Sequence, residues 1–225
     1  MANLSDHSRS DLSNHSTVTL ALPTRARTLG VMSVNHNKDA ALDQALNLFW
    51  TKGFASTSIK DLERATGMHP GSIYAAFGSK AKLYCLSLER YALQLNDKRA
   101  QLMASATSPL QGLADFILRA HPLSNADAPL PVCFLVKATL ESGLDDGSIH
   151  DKINEMLTRN EELFEAVFEQ AISAGELSQA SNPKKLARQL SADLAGLCFY
   201  ALRGDEPTVI NEMITDLADR VRQRR

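Results

Sequence analysis

From residue 37 onward, apolar residues return every three or four positions, and nowhere do they alternate with polar ones over the length of a strand. In "DAALDQALNLFWTKGF", Ala41, Leu42, Ala45, Leu48 and Phe49 fall on one helical face, and Gly53 stops the run. "STSIKDLERATG" starts a short second helix. Ser58 and Asp61 stand at capping-box spacing, Thr57 is the rival cap, and Ile59, Leu62 and Ala65 form the buried stripe. A long helix is expected from Ser79 to about Ala104. Others follow near 107–121, 130–143, 148–175, 182–203 and 206–223, set apart by Pro- and Gly-bearing breaks. The chain is therefore expected to be all-α. Residues 1–36 are rich in Ser, Thr, Asn and His, contain Pro23 and have no helical period. They read as a disordered polar tail, within which Met32 is an alternative start.

With 225 residues, 44% hydrophobic and 22% charged, the chain has the composition of an ordinary soluble protein. No apolar run approaches the roughly 20 residues of a membrane span, and the start lacks the pattern of a signal peptide. Cys85, Cys133 and Cys198 lie far apart, with no CxxC and no paired histidines at ligand spacing. A disulfide framework and a zinc site are not expected, nor is any cofactor or metal; the reading is a reduced, cytoplasmic protein. Net charge is −2, unevenly spread. From Lys38 to Met103 there are about nine basic and six acidic residues, and from Ala104 onward about twelve and eighteen. A mildly basic front and an acidic back suggest a division of labour.

The stretch "GMHPGSIYAAFGSK", residues 67–80, packs weak helix formers between two strong helical segments. A helix, a turn at Thr66-Gly67-Met68 and a second short helix make a helix-turn-helix. Gly67 tolerates the positive φ that the turn needs, and Pro70 suits the first turn of the next helix. Small residues at Gly71, Ser72, Ala75 and Ala76 leave a slim face for a groove about 12 Å wide. Ile73 and Phe77, four apart, pack inward against Phe54, Ile59 and Leu62. His69, Gly71, Ser72 and Tyr74 are left on the DNA side. Tyr74 offers a phenol on a rigid stem, and Lys80 a point charge at the start of the fourth helix, with Ser79 as its cap.

"LFWTKGFASTSIKDLERATGMHPGSIYAAFGSKAKLY" resembles the DNA-binding domain of the TetR family of tetracycline-repressor-like regulators. The likeness covers about residues 38 to 90, including Phe49, Gly53-Phe54, Thr57-Ser58-Ile59, Gly67, Ser72-Ile73-Tyr74, Phe77 and Ser79-Lys80. It implies that the third helix is the recognition helix. Tyr74, Lys80 and Thr57 would then meet backbone phosphates, while His69, Pro70, Gly71 and Ser72 approach base edges. The DNA-facing set is thus Thr57, Ser58, His69, Pro70, Gly71, Ser72, Tyr74 and Lys80. The implied architecture is a helix-turn-helix domain over 37–84 and a helical ligand-binding and dimerisation domain over 85–225. The implied partners are double-stranded operator DNA with an inverted repeat, an unidentified small-molecule effector and a second copy of the chain, with no membrane. A repressor released from its operator by that molecule is the expected function.

In the back half, candidates for lining a pocket are Tyr91, Phe116, His121, Cys133, Phe134, Phe164, Phe168 and Tyr200, although helical spacing also explains most of them as core. Cys133, in "PVCFLVKATLE", opens a helix as in one subgroup of the family. An alternative function is therefore a redox or electrophile sensor using Cys133, with Lys137 one turn away to lower its pKa. The competing reading is a small buried hydrophobe. Leu186, Leu190, Leu194 and Leu197 run down one of the last two helices, and Val209, Met213 and Leu217 down the other. They form the expected dimer interface, or else close the core of one protomer. No HExxH, GxSxG, P-loop or dinucleotide fingerprint is present, so an enzyme is not expected.

Overall fold

The computed structural model describes residues 26–119, 121–125, 127–141 and 147–224. Among the described residues there are nine α-helices and no strand. They are α1 (Ala26–Lys52), α2 (Ile59–Thr66), α3 (Pro70–Phe77), α4 (Lys80–Ser105), α5 (Pro109–Arg119), α6 (Phe134–Glu141), α7 (Gly147–Ser173), α8 (Pro183–Arg203) and α9 (Pro207–Arg222). The fold is all-α, as the periodicity predicts, and most expected boundaries lie within a few residues of the observed ones.

The start of α1 differs from expectation. It begins at Ala26, inside the stretch read as a tail, of which residues 1–25 lie outside the described residues. Polar composition argued for disorder, but no proline interrupts the chain between Pro23 and Lys52. A helix anchored by buried Ala45, Leu46 and Phe49 extends backward at little cost per residue once its nucleus exists.

The head is built by short-range signals. Ser58 caps α2 in a full capping box: its side chain accepts from the Asp61 amide, and the Asp61 carboxylate accepts from the Ser58 amide. Gly67 closes α2 at φ 66°, a left-handed conformation that favours glycine. Pro70 then opens α3. Ile73 and Phe77 are buried, and each contributes about 1.5–3 kcal/mol by leaving water.

The expected domain boundary at residue 84 falls inside α4, which runs unbroken from the head into the back half. There α4 packs on α1, α5, α6 and α7; α5 packs on α9, and α7 on α8. Arg90 of α4 grips Asp43 of α1 through two bonds of 2.8 and 2.9 Å.

The expected dimer leucines need correction. Leu190, Leu194, Leu197 and Leu217 are buried within the protomer. Leu186 and Met213 are half-buried, and only Val209 stands exposed. Periodicity identifies an apolar stripe without saying what covers it, and here α5, α7 and the partner helix cover most of it. The apolar side chains left in solvent on α8 and α9 are Phe199, Tyr200, Leu202 and Val209.

Candidate nucleic-acid interface and ligand cavity

The outer face of α3 carries the residues expected to meet DNA. Gly71, Ser72, Tyr74 and Ala75 are exposed, and Tyr74 is 46% accessible despite its apolar ring. His69 occupies the N-cap of α3, but its side chain does not cap; it points into solvent with Nδ1 3.3 Å from Glu63 Oε1. Pro70 is half-buried at the first helical position. Ser79 caps α4 by accepting from the Lys82 amide at 3.0 Å. Lys80 follows, its ammonium 4.4 Å above the Phe54 ring centroid, and partial burial lowers its pKa. The N-terminus of α4, which Lys80 opens, adds partial positive charge there.

Thr57 is a correction. It is buried, and its hydroxyl donates to the Gly53 carbonyl at 2.6 Å. Its role is to fix the turn between α1 and α2, which position in the sequence alone does not reveal. Ser58 is exposed, with its hydroxyl committed to the capping box.

In the back half, a cavity of about 400 Å³ opens between α4, α5, α6, α7 and α8. That size suits a small organic ligand. Of the expected lining residues, Phe116, His121, Cys133 and Phe164 reach it. Phe134 and Phe168 are fully buried core instead, and Tyr200 stands at the surface beside Phe199. Tyr91 borders a smaller neighbouring cavity. It also donates its hydroxyl to Cys133 Sγ at 3.2 Å. The polar wall escaped the sequence reading: Asn160, Glu161, Arg188 and Ser191 all line the cavity. They resemble ordinary surface positions of α7 and α8; the packing of those helices half-buries Asn160 and Ser191 and leaves Arg188 exposed at the rim.

The electrostatics of the cavity are unusual at two points. Arg99 is buried, and its side-chain hydrogen-bond partners among the described residues are amides. Its guanidinium donates to the amide oxygens of Asn160, at 3.0 Å, and Asn96, and lies near the Phe116 and Phe164 rings. Desolvation lowers its pKa to about 10, which still leaves it charged at neutral pH. His121 is buried and held near 4 by desolvation, so it is neutral.

Cys133 is buried. Burial pushes its pKa up, and Lys137, expected to lower it, is paired with Glu141 instead. Cys198 is buried nearby and shifted the same way.

A helix-turn-helix with an open recognition face, joined by one continuous helix to a cavity-bearing helical body, defines a DNA-binding regulator. The sequence comparisons agree. Residues 41–84 match the family model described as "Bacterial regulatory proteins, tetR family", and residues 109–216 match "Tetracyclin repressor-like, C-terminal domain". The chain is 30% identical over 170 residues to the HTH-type transcriptional repressor ComR of Escherichia coli (strain K12), covering 75% of this chain and 80% of that protein. It is 42% identical over 53 residues to the repressor BdcR of the same strain, covering 24% and 27%. A cysteine mutant of the TetR-family regulator CifR, solved with 26-base-pair operator DNA, superposes with a TM-score of 0.72 at 24% identity, covering 80% of this chain and 94% of that one. A TetR-family regulator from Cytophaga hutchinsonii gives 0.75 at 18%, covering 84% and 94%. The chain belongs to the TetR family of transcriptional regulators.

Proposed function

We propose that two copies of this chain pair through the exposed apolar faces of α8 and α9 and bind an inverted-repeat operator as a repressor. Each copy places its α3 in a major groove, with the half-sites about one helical turn, roughly 34–36 Å, apart. Tyr74 and Lys80 hold backbone phosphates, and the face around His69 and Ser72 meets base edges. A small molecule in the cavity alters the separation of the two α3 helices and releases the operator in the cytoplasm.

The observation that carries this reading is the continuity between Lys80 and the cavity. Lys80 sits on Phe54, which packs on Tyr84 at 5.0 Å; Tyr84 meets Phe134 at 5.7 Å, and Phe134 meets Tyr91 at 5.8 Å. Tyr91 bonds Cys133, which lines the cavity. Helix α4 carries Lys80, Tyr84, Tyr91 and Leu95 along this route, and Leu95 lines the cavity. A close-packed chain of rings cannot deform continuously, so a ligand that shifts one end repositions the other.

Selection of the full chain on random duplexes tests the reading. Enrichment of an inverted repeat, two chains bound per duplex and a steep fall of affinity with salt are expected. Salt-insensitive binding, or one chain per enriched site, would overturn it.

A further inference from the structure

Several polar groups on the cavity wall present hydrogen-bond donors, beside the one carboxylate of Glu161. His121 Nδ1 accepts from the Leu123 amide at 3.3 Å, so the proton of the neutral ring sits on Nε2, which is left to donate. Asn160 Oδ1 accepts from the Arg99 guanidinium, which orients the amide and leaves Nδ2 as its free end. That charge-assisted bond also polarises the amide, so its N–H groups donate more strongly. Ser191 lines the cavity, and its hydroxyl is buried without a hydrogen-bond partner. The Arg188 guanidinium stands at the rim, 3.9 Å from Glu161. The Thr139 hydroxyl donates to Leu135 O. Around these groups the wall is apolar, formed by side chains such as Phe116, Leu135 and Phe164.

A buried polar group without a partner costs free energy, and an orphaned hydroxyl on a residue that lines a cavity is one that a ligand can satisfy by turning it inward. A buried guanidinium with amide partners raises the local potential in the same direction. We infer, resting on the effector reading above, that the cavity takes a small amphipathic anion: an apolar body against Phe116, Leu135 and Phe164, and a carboxylate held by Asn160, Ser191 and Arg188. The carboxylate accepts from these donors, and its charge offsets that of Arg99 across the Asn160 amide. A cationic head would face Arg99 and Arg188 with one rim carboxylate to hold it, and a neutral alcohol would satisfy fewer of the donors.

The test compares head groups on one apolar body. Decanoate, decanamide and decylamine are titrated against the full chain by calorimetry, and operator release is followed by fluorescence anisotropy. Decanoate is expected to bind at least tenfold more tightly than decanamide, in line with the strength of hydrogen bonds to charged groups, and decylamine least. Ser191→Ala and Arg188→Gln, both mild at half-buried and exposed positions, are expected to weaken decanoate severalfold and decanamide by a smaller factor. If all three bind alike and release the operator alike, the anion inference fails while the effector reading stands. If decanoate binds without changing operator affinity, the effector reading fails and the head-group preference alone survives. If none binds, both fall.

Discussion

The indole Nε1 of Trp50 donates to the carbonyl of Val132 across 2.9 Å, joining the last turn of α1 to the segment that leads into α6. Both residues are buried, and the Trp50 ring packs on Tyr91 at 5.0 Å and on Phe134 at 6.0 Å. The head and the cavity wall are thus tied through one side chain. Trp50→Phe keeps an aromatic ring but leaves the Val132 carbonyl unpaired. The expected loss is about 1–3 kcal/mol of unfolding free energy, read from urea titration. An unchanged midpoint would mean that the bond carries no net stability.

Lys80→Ala is expected to weaken binding to all duplexes and to reduce the slope of log affinity against log salt by roughly one, since one phosphate contact is lost. His69→Ala or Ser72→Ala is expected to change which sequences are preferred instead. A salt slope identical to that of the parent chain would remove Lys80 from the phosphate contacts.

Gly53 adopts φ +83°, and a Cβ built there meets the Glu141 carboxylate at 2.5 Å. Gly53→Ala therefore adds backbone strain of about 1–2 kcal/mol and displaces Glu141 from Lys137. Combining it with Glu141→Ala removes the clash and leaves the backbone strain. The double variant is expected to regain only part of the stability in the same urea measurement.

His121 makes stability pH-dependent. An ordinary histidine takes a proton near 6.5, whereas burial holds this one near 4. Between those values the unfolded chain binds a proton that the folded chain refuses. Stability is therefore complete above the unfolded pKa, falls as the pH drops through 6.5 and stops falling from this cause near 4, a loss of about 3 kcal/mol. His121→Asn keeps an acceptor for the Leu123 amide and is expected to flatten the curve between pH 6.5 and 4. A curve of unchanged slope would place the acid sensitivity elsewhere.

Cys133 and Cys198 are expected to resist iodoacetamide at neutral pH until the chain is unfolded, because burial disfavours both thiolates. Mass spectrometry of the labelled chain reads this directly. Rapid labelling of Cys133 in the native protein would restore the thiol-sensor reading.

The head was legible in the sequence because its determinants are local. The capping box at Ser58 and Asp61, the left-handed Gly67, Pro70 at the first turn of α3, and the inward pair Ile73 and Phe77 each act within a few residues. Where a role depended on distant packing, the sequence was ambiguous. Thr57 sits at a helix start like a phosphate ligand, yet the fold of α1 brings Gly53 O to its hydroxyl. Leu190 and Leu217 have the spacing of an interface and the burial of a core.

By itself, then, the sequence determined the all-α class, most helix boundaries and the outward face of α3, because turns, caps and apolar periods are encoded over a single helix or loop. Only the tertiary structure decided which leucines are core and which aromatics line the cavity. It alone brought Arg99, in the charged run "NDKRAQ", beneath α5 and α7 to bond Asn160. Asn160, whose amide helps to make that arginine part of a buried site, lies 61 positions along the chain, a separation at which no helical period carries information.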